Sequence, residues 1–191
     1  MKGGAGWNIL QEETLVETPH LTVVREQVST PSRTEGTPWL NVRRKQAVVV
    51  APRTSDGKFI LIHQERIPAR RAFWEFPAGQ IDGVVTESSI REAALRELAE
   101  ETGYVPHEGR MDSLGSYFSS PGFTNELMHL FIAHDVELLS EGRQPDAAEC
   151  ILKVSAFSAT ALSGMIRDGE IQDANTLVLV AKLLVLDLFN K

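Results

Sequence analysis

Apolar residues follow two different patterns along the chain, which divides it into a short N-terminal part and a longer main part. The first ~28 residues alternate loosely between apolar and polar positions, and Pro19-His20 marks a turn between two such runs. Residues 30–38 are rich in turn-forming residues and are predicted to form a linker. The pattern therefore predicts a small antiparallel β unit over residues 1–40 and a main domain over residues 41–191.

Strand-like and helix-like runs are mixed in the main part without regular alternation. The predicted strands cover residues 46–51, 59–63, 127–133 and 151–157, and Asp56-Gly57 between the first two is a strong hairpin signal. Residues 89–102, 159–167 and 174–189 are predicted to be helical, the last with Asp173 as its N-cap. This order favours an α+β fold, an α/β/α sandwich with a mixed sheet, in addition to the N-terminal β unit.

Composition and charge exclude several classes of protein. The 191-residue chain has a formal net charge of −7, which disfavours nucleic-acid binding because that requires a basic face. Cys150 is the only cysteine, so an intrachain disulfide and a cysteine-based zinc site are excluded, and a reducing cytoplasm is expected. The most apolar stretch, residues 174–189, contains Lys182 and Asp187 and is too short and too charged for a bilayer, so no membrane contact is expected.

The helix predicted over residues 89–102 carries the most informative cluster of charges. Ser89 and Glu92 fit a capping box at its start, and Gly103 fits the left-handed stop position at its end. At about 100° per residue, Glu97, Glu100 and Glu101 fall on one side of the helix. Their mutual repulsion and their place near the C-terminal end are unfavourable unless a hard divalent cation, Mg²⁺ or Mn²⁺, binds them. A solvated acidic face is the alternative.

The segments on either side of that cluster resemble the Nudix hydrolase family. Residues 96–104 read Arg-Glu-Leu-Ala-Glu-Glu-Thr-Gly-Tyr and match the second half of the family box, and Gly79 and Glu87 match its earlier positions. Seven residues separate Gly79 from Glu87 and eight separate Glu87 from Arg96, where the family pattern has five and seven. The loop before the helix is therefore longer than in the family pattern.

This resemblance implies an α/β/α sandwich in which the box helix binds divalent metal ions beside a diphosphate. Glu97, Glu100, Glu101 and the carbonyl of Ala78 become candidate ligands for Mg²⁺, with Mn²⁺ as a substitute. Arg96 is expected to orient the loop through a carboxylate, that of Glu87; an ordinary ion pair with Glu100 is the alternative.

Further segments resemble ADP-ribose pyrophosphatases and related nucleotide-sugar hydrolases. These are Trp74–Gly79, Gln64-Glu65-Arg66, the Ser-Pro-Gly loop of residues 119–126, and the run that begins at Asp173. The resemblance implies Mg²⁺-dependent hydrolysis of ADP-ribose to AMP and ribose 5-phosphate. Arg66, Pro121, Glu126 and Trp39 are the candidate substrate-binding residues; Arg70 and Arg71 are weaker candidates for gripping phosphate. Glu149 is the first candidate for the general base, with Asp146 and Glu141 in reserve; Glu100 and Arg96 are also expected to serve catalysis.

Other functions stay open from the sequence alone. Glu65 occupies a position that is aromatic in the ADP-ribose enzymes, so a GDP-mannose or UDP-sugar hydrolase is an alternative. A non-catalytic nucleotide-sugar sensor is another, although such proteins often lose box carboxylates and all three are present here. The N-terminal strands and the apolar C-terminal helix suggest a homodimer.

Overall fold

The computed structural model of the chain describes residues 5–140, 142 and 150–190. It divides the chain into two compact units. The first consists of Met1–Lys45 and Phe118–Leu127, and the second of Gln46–Tyr117 and Met128–Lys191. The Ser-Pro-Gly loop therefore belongs to the same unit as the N-terminal strands.

The first unit contains a three-stranded antiparallel sheet in the order β1-β2-β3. Its strands are β1 (Asn8–Glu17), β2 (Leu21–Thr30) and β3 (Arg33–Arg44). The prediction of a linker over residues 30–38 is wrong, because Arg33–Pro38 already pairs with β2 and only two residues form the turn. Pro38 is tolerated because β3 is an edge strand in this sheet, where a missing N–H need not break a ladder.

The second unit is built on mixed sheets. Its strands are β4 (Ala47–Pro52), β5 (Phe59–Arg66), β6 (Arg71–Glu75), β7 (Ala78–Gln80), β8 (Tyr104–Pro106), β9 (Met111–Phe118), β10 (Leu127–Ala133), β11 (Val136–Leu138) and β12 (Ile151–Phe157). Four of them form a sheet in the order β7-β4-β10-β9, in which β4 is parallel to β10 and antiparallel to β7. A three-stranded antiparallel sheet has the order β12-β5-β6, and β8 pairs with β11. The helices are α1 (Glu87–Thr102), α2 (Ala159–Arg167) and α3 (Ala174–Val185), and short 3₁₀ turns cover Ile67–Ala69 and His107–Gly109.

The central strand β4 is buried on both faces and separates two hydrophobic clusters. Val48 and Val50 belong to a cluster that includes Leu98 of α1. Val49, one position out of phase with them, belongs to a second cluster that includes Leu179 of α3. Because successive side chains of a strand point to opposite faces, the sheet has α1 on one face and α2 and α3 on the other. The predicted α/β/α sandwich is confirmed.

Two local predictions differ from the structure. Residues 54–58 do form a turn, with Gly57 at φ 81°, but β4 and β5 belong to different sheets and share only a bridge between Arg53 and Phe59. Helix α3 begins after its predicted N-cap Asp173 but ends at Val185 rather than at residue 189, and Asp187 has a left-handed backbone. In the described part of the chain, no helix is long and apolar enough to cross a membrane.

Helix α1 begins two residues earlier than predicted. Thr86 is its N-cap, and its hydroxyl accepts a hydrogen bond from the Ser89 backbone while the Ser89 hydroxyl accepts one from the Thr86 backbone. This is a capping box one turn before the predicted pair, and Glu92 instead accepts a hydrogen bond from Ser88. The predicted stop is confirmed, since Gly103 is left-handed and donates to the carbonyl of Ala99.

Candidate active site

Two of the three predicted carboxylates on α1 are buried. Glu97 is 5% exposed and Glu101 is 1% exposed, whereas Glu100 lies nearer to solvent. Glu97 and Glu101 are one turn apart and share their side of α1 with the buried Ala94 and Leu98. Buried carboxylates are costly unless they are paired or bind a cation, so this end of α1 is built around polar contacts.

The backbone of β7 meets these two carboxylates directly. The Ala78 N–H donates to Oε2 of Glu101 at 2.9 Å. A Cβ atom added to Gly79 would lie 2.0 Å from both Cδ and Oε1 of Glu97. Gly79 lies within β7, and its φ is outside the left-handed region, so backbone conformation does not require glycine at this position. Glycine is needed here because the Glu97 carboxylate occupies the space of a side chain.

Arg96 connects two of the carboxylates with the strand. Its guanidinium donates to Glu97 at 2.6 Å, to Glu100 at 2.7 Å and to the carbonyl of Gln80 at 3.2 Å. Burial lowers the pKa of Arg96, but the charge of Glu97 and the hydrogen bonds to both carboxylates outweigh it, so the pKa is raised. The expected pairing of Arg96 with Glu87 is not found; Glu87 lies in the first turn of α1, more than two turns away.

Helix α3 forms a hydrogen bond to the segment that precedes β7. The hydroxyl of Thr176 accepts a hydrogen bond from the Phe76 N–H at 2.9 Å and donates one to Asp173 at 2.8 Å. The Pro77 carbonyl accepts from the N–H of Val50 at 3.0 Å. Thr176 is fully buried, so its hydroxyl satisfies a backbone donor that water cannot reach.

A buried carboxylate on β6 holds Arg66. Glu75 is 2% exposed and accepts from Nε of Arg66 at 3.0 and 3.1 Å and from its Nη2 at 2.5 Å. Burial lowers the pKa of Arg66, but Glu75, with smaller contributions from the charges of Glu101 and Asp173, raises it overall. Burial likewise raises the pKa of Glu75, and Arg66 opposes that shift. Sequence reasoning missed this role of Glu75, although its place in the motif before Gly79 was a signal.

The donor set suits a hard divalent cation. Carboxylates and a backbone carbonyl are oxygen ligands of the kind that Mg²⁺ and Mn²⁺ prefer. Because Gly79 has no side chain, the Glu97 carboxylate packs directly against the backbone of β7. As their side chains lie, no three acidic, histidine or cysteine residues among those described converge closely enough to hold a metal ion. Arg96 and the Ala78 N–H occupy oxygens that a metal ion would need.

The other substrate-binding candidates lie in the first unit. The indole N–H of Trp39 donates to the carbonyl of Gly122 at 3.0 Å, next to Pro121, and the side chain is 53% exposed. Glu126 is buried, accepts from the Ser119 hydroxyl at 2.7 Å and forms an ion pair with Arg44 at 2.9 Å. The structure thus brings Trp39 to the Ser-Pro-Gly loop and gives Glu126 a partner at each side.

The predicted general base lies outside the described residues. This applies to Glu149 and to the reserves Asp146 and Glu141. The described residue that follows them is Cys150, whose carbonyl accepts a hydrogen bond from the Glu65 N–H at 3.0 Å. The chain therefore enters β12 next to the residue that precedes Arg66.

Comparisons with known proteins agree on one family. A family model described as NUDIX domain matches residues 43–178. The chain is 35% identical to ADP-ribose pyrophosphatase of Bacillus subtilis over 136 residues, which are 71% of this chain and 70% of that protein. It is 32% identical to methanol dehydrogenase activator of Bacillus methanolicus over 142 residues, 74% of each chain.

Two further matches are more distant. The chain is 28% identical to GDP-mannose pyrophosphatase of Pectobacterium atrosepticum over 151 residues, 76% of this chain and 75% of that protein. A solved structure of an ADP compounds hydrolase superposes with a TM-score of 0.75 at 20% identity and covers 97% of this chain and 96% of its own. At that identity the structural match concerns the fold.

Proposed function

Because the chain belongs to the NUDIX domain family and to its hydrolases, we propose that it hydrolyses the diphosphate bond of ADP-ribose to AMP and ribose 5-phosphate. The observation that carries this proposal is the buried pair of carboxylates on α1, which faces the backbone of β7 at Ala78-Gly79. The similarity to an ADP-ribose pyrophosphatase over 71% of the chain supports the choice of substrate.

Nudix hydrolases generally use a divalent metal ion, and we propose Mg²⁺ here, with Mn²⁺ as a substitute. Glu97, Glu100, Glu101 and the carbonyl of Ala78 would hold it. When bound, such an ion neutralises phosphate charge and lowers the pKa of a bound water. Arg96 would keep Glu97 and Glu100 oriented toward β7, because its guanidinium contacts both carboxylates and the Gln80 carbonyl.

Arg66 is proposed to bind a phosphate oxygen of the substrate. Its Nε and one proton of Nη2 are directed at Glu75; with respect to the described residues, this leaves Nη1 and the second Nη2 proton for a ligand. Bidentate contacts of a guanidinium suit a phosphate group. Glu149 is proposed to take the proton from the attacking water. Cys150, which follows Glu149 in the sequence, accepts a hydrogen bond from the N–H of Glu65, the neighbour of Arg66 in sequence.

The first unit is proposed to contribute to nucleotide binding and to dimerisation. The exposed ring of Trp39 is suited to stacking on a base, with Pro121 beside it and Glu126 supporting the same loop. Exposed apolar side chains on the same sheet, Ile9, Leu10 and Leu40, support a homodimer, which light scattering on the purified protein tests. We also propose a cytoplasmic location, consistent with a single cysteine, which cell fractionation tests.

A GDP-mannose or UDP-sugar substrate is the second candidate. Glu65 at the position that is aromatic in the ADP-ribose enzymes favours it, as does the match to a GDP-mannose pyrophosphatase. A non-catalytic sensor is the third, and the presence of all three α1 carboxylates argues against it.

A substrate panel in the presence of Mg²⁺ separates these functions. We expect ADP-ribose to give the highest kcat/KM, with AMP and ribose 5-phosphate identified as products. A preference for GDP-mannose or a UDP-sugar would support the second candidate, and binding without turnover of any diphosphate would support the sensor.

Two substitutions test the proposed machinery. Glu101→Gln should lower kcat by more than about 100-fold, because it removes a negative charge from the metal site. Near-normal activity would remove Glu101 from the site. Glu149→Gln should lower kcat with little change in KM, and an unchanged kcat would point to a different base.

A further inference from the structure

A concavity lined by arginines lies at the end of β5. It has a volume of about 310 Å³ and is lined by Glu65, Arg66, Ile67, Arg70 and Arg71. Only Arg66 has a part in the proposed reaction. We infer that Arg70 and Arg71, next to Arg66, form an additional anion subsite that binds a phosphate monoester group.

Arg70 has a backbone conformation that arginine rarely adopts. Its φ is 55° and its ψ is 36°, in the left-handed region, where it ends the 3₁₀ turn Ile67–Ala69 and donates its N–H to the Ile67 carbonyl. Glycine occupies this conformation without strain, and asparagine tolerates it better than a long side chain does. Arginine is therefore less stable than glycine would be at this position, which lines the concavity. Such backbone strain is typical of residues whose side chain has a function.

Among the described residues, the contacts recorded for the Arg71 guanidinium are with a neutral amide and an aromatic ring. Its Nη2 donates to the neutral amide oxygen of Gln172 at 2.7 Å, and its guanidinium lies 4.4 Å from the centre of the Phe73 ring. Both contacts restrict the side chain before any ligand binds, which lowers the entropy lost on binding. A guanidinium oriented in this way keeps its remaining donors for an anion.

The charges around the concavity favour a ligand of high negative charge. Three arginines and one acidic residue, Glu65, line it, so positive charge is in excess among the lining residues of a chain whose formal net charge is −7. Glu75, Glu101 and Asp173 offset the charge of Arg66, which leaves Arg70 and Arg71 as the source of the excess. Guanidinium groups match phosphate oxygens in geometry, and a phosphate monoester carries up to two negative charges near neutral pH.

Two sources would supply this group, and both rest on the proposed function for their biological meaning. One is a nucleoside diphosphate sugar whose sugar bears a further phosphoryl group, in which case the subsite determines substrate specificity. The other is a free phosphate monoester, such as the proposed product ribose 5-phosphate, in which case the subsite causes inhibition.

Three variants test the subsite on the full chain. Arg70→Gly removes the side chain and relieves the backbone, so it should raise Tm by about 2–4 °C while weakening anion binding. Arg71→Gln removes the second charge. Arg110→Ala is the matched control, because it removes an exposed arginine that pairs with Asp135 elsewhere in the same unit.

Binding of inorganic phosphate and of ribose 5-phosphate is measured by calorimetry on the metal-free protein, a readout that does not depend on activity. We expect Arg70→Gly and Arg71→Gln each to weaken binding by about tenfold, the effect of losing one charge-assisted contact, and Arg110→Ala to leave it unchanged. Absence of binding to the wild type, or an equal loss in the control, would overturn the subsite.

Kinetics then identifies the source of the group. If it belongs to the substrate, ADP-ribose with a phosphate on its terminal ribose has a higher kcat/KM than ADP-ribose, and only the variants lose this preference. If it is free, the two substrates are used equally and ribose 5-phosphate inhibits the wild type more than the variants. Failure of every diphosphate to react would contradict the proposed function and leave the calorimetric result standing.

Discussion

Replacing Gly79 with alanine should lower the activity more than it lowers the stability of the fold. The new Cβ would lie 2.0 Å from Cδ and Oε1 of Glu97 and 2.4 Å from its Oε2. Nonbonded carbon atoms approach to about 3.5 Å, so the carboxylate must retreat by about 1.5 Å. The carboxylate can move because it is the end of a flexible side chain, whereas the backbone of β7 is held by its pairing with β4.

A displacement of that size is large for a residue proposed as a metal ligand. Ligand distances in metal sites are kept within about 0.2 Å, and a 1 Å misplacement of a reacting group can cost about 100-fold in rate. We therefore expect kcat/KM of Gly79→Ala to fall at least about 100-fold, which corresponds to about 2.7 kcal/mol in the activation free energy. The affinity for Mg²⁺, measured by calorimetry, should fall as well.

Stability should change less. The φ of Gly79 lies outside the left-handed region, so alanine causes no backbone strain and can stabilise by about 0.4–1 kcal/mol through the unfolded chain. Against this stands the hydrogen bond from Arg96 to Glu97, a charged bond of about 1.5–3 kcal/mol. The net loss in the free energy of unfolding, measured by urea titration, should therefore be about 0.5–2.6 kcal/mol.

The control is Gly164→Ala in α2, where the added Cβ meets no atom within 4 Å. It should keep full activity and gain about 0.5–1 kcal/mol in helix stability. If Gly79→Ala keeps its kcat/KM within about threefold of wild type while Gly164→Ala does the same, the position of the Glu97 carboxylate does not matter for catalysis. That result would refute the reasoning.

Three further substitutions test other parts of the structure. Glu75→Gln should raise KM about tenfold with a smaller change in kcat, because Arg66 loses its charged partner; equal changes in both would contradict a binding role. Thr176→Val should lower the free energy of unfolding by about 1–3 kcal/mol, since the buried Phe76 N–H loses its acceptor; an unchanged urea midpoint would contradict this. Burial lowers the pKa of His129, so the unfolded chain binds its proton more tightly and stability falls as pH drops below about 6.5. Urea titrations at pH 7.0 and 5.5 should show a smaller loss in His129→Gln, and an equal loss would exclude His129 as the cause.

The elements that the sequence predicted well are those governed by local patterns. Helix α2 has the predicted bounds, and the stop of α1 at Gly103 follows from a left-handed position that glycine favours. The start of α1 was placed too late because both Thr86 and Ser89 are good N-caps, and the choice between them depends on the loop that precedes the helix. The turn at Asp56-Gly57 was also local, but the partners of its two flanking strands depend on distant segments.

The site was predictable only as a set of residue types. The helical period places Glu97 and Glu101 on one side of α1. The resemblance of residues 96–104 to the Nudix box adds the expectation that both bind a metal ion. The contact of Glu97 with Gly79, by contrast, joins residues 18 positions apart in sequence, and it is visible only once β7 lies against α1. The pairing of Arg66 with Glu75 is likewise visible only in the structure, because the register of β5 and β6 places Arg71 opposite Arg66 and Ile62 opposite Glu75.

The short segment Glu75–Ala78 explains why a change at Thr176 should affect both the stability of the fold and the positions of site residues, whereas a change at Gly79 should mainly affect the site. Its side chains and backbone contact Arg66, Thr176 and Glu101, so one stretch of chain sets the positions of the proposed phosphate-binding and metal-binding groups together. A change at Thr176 removes a hydrogen bond on which that stretch depends, and it should disturb both groups while it destabilises the fold. Gly79 lies just beyond the segment, and the three atoms nearest to its added Cβ all belong to the end of the flexible Glu97 side chain, so we expect the damage there to stay within the site.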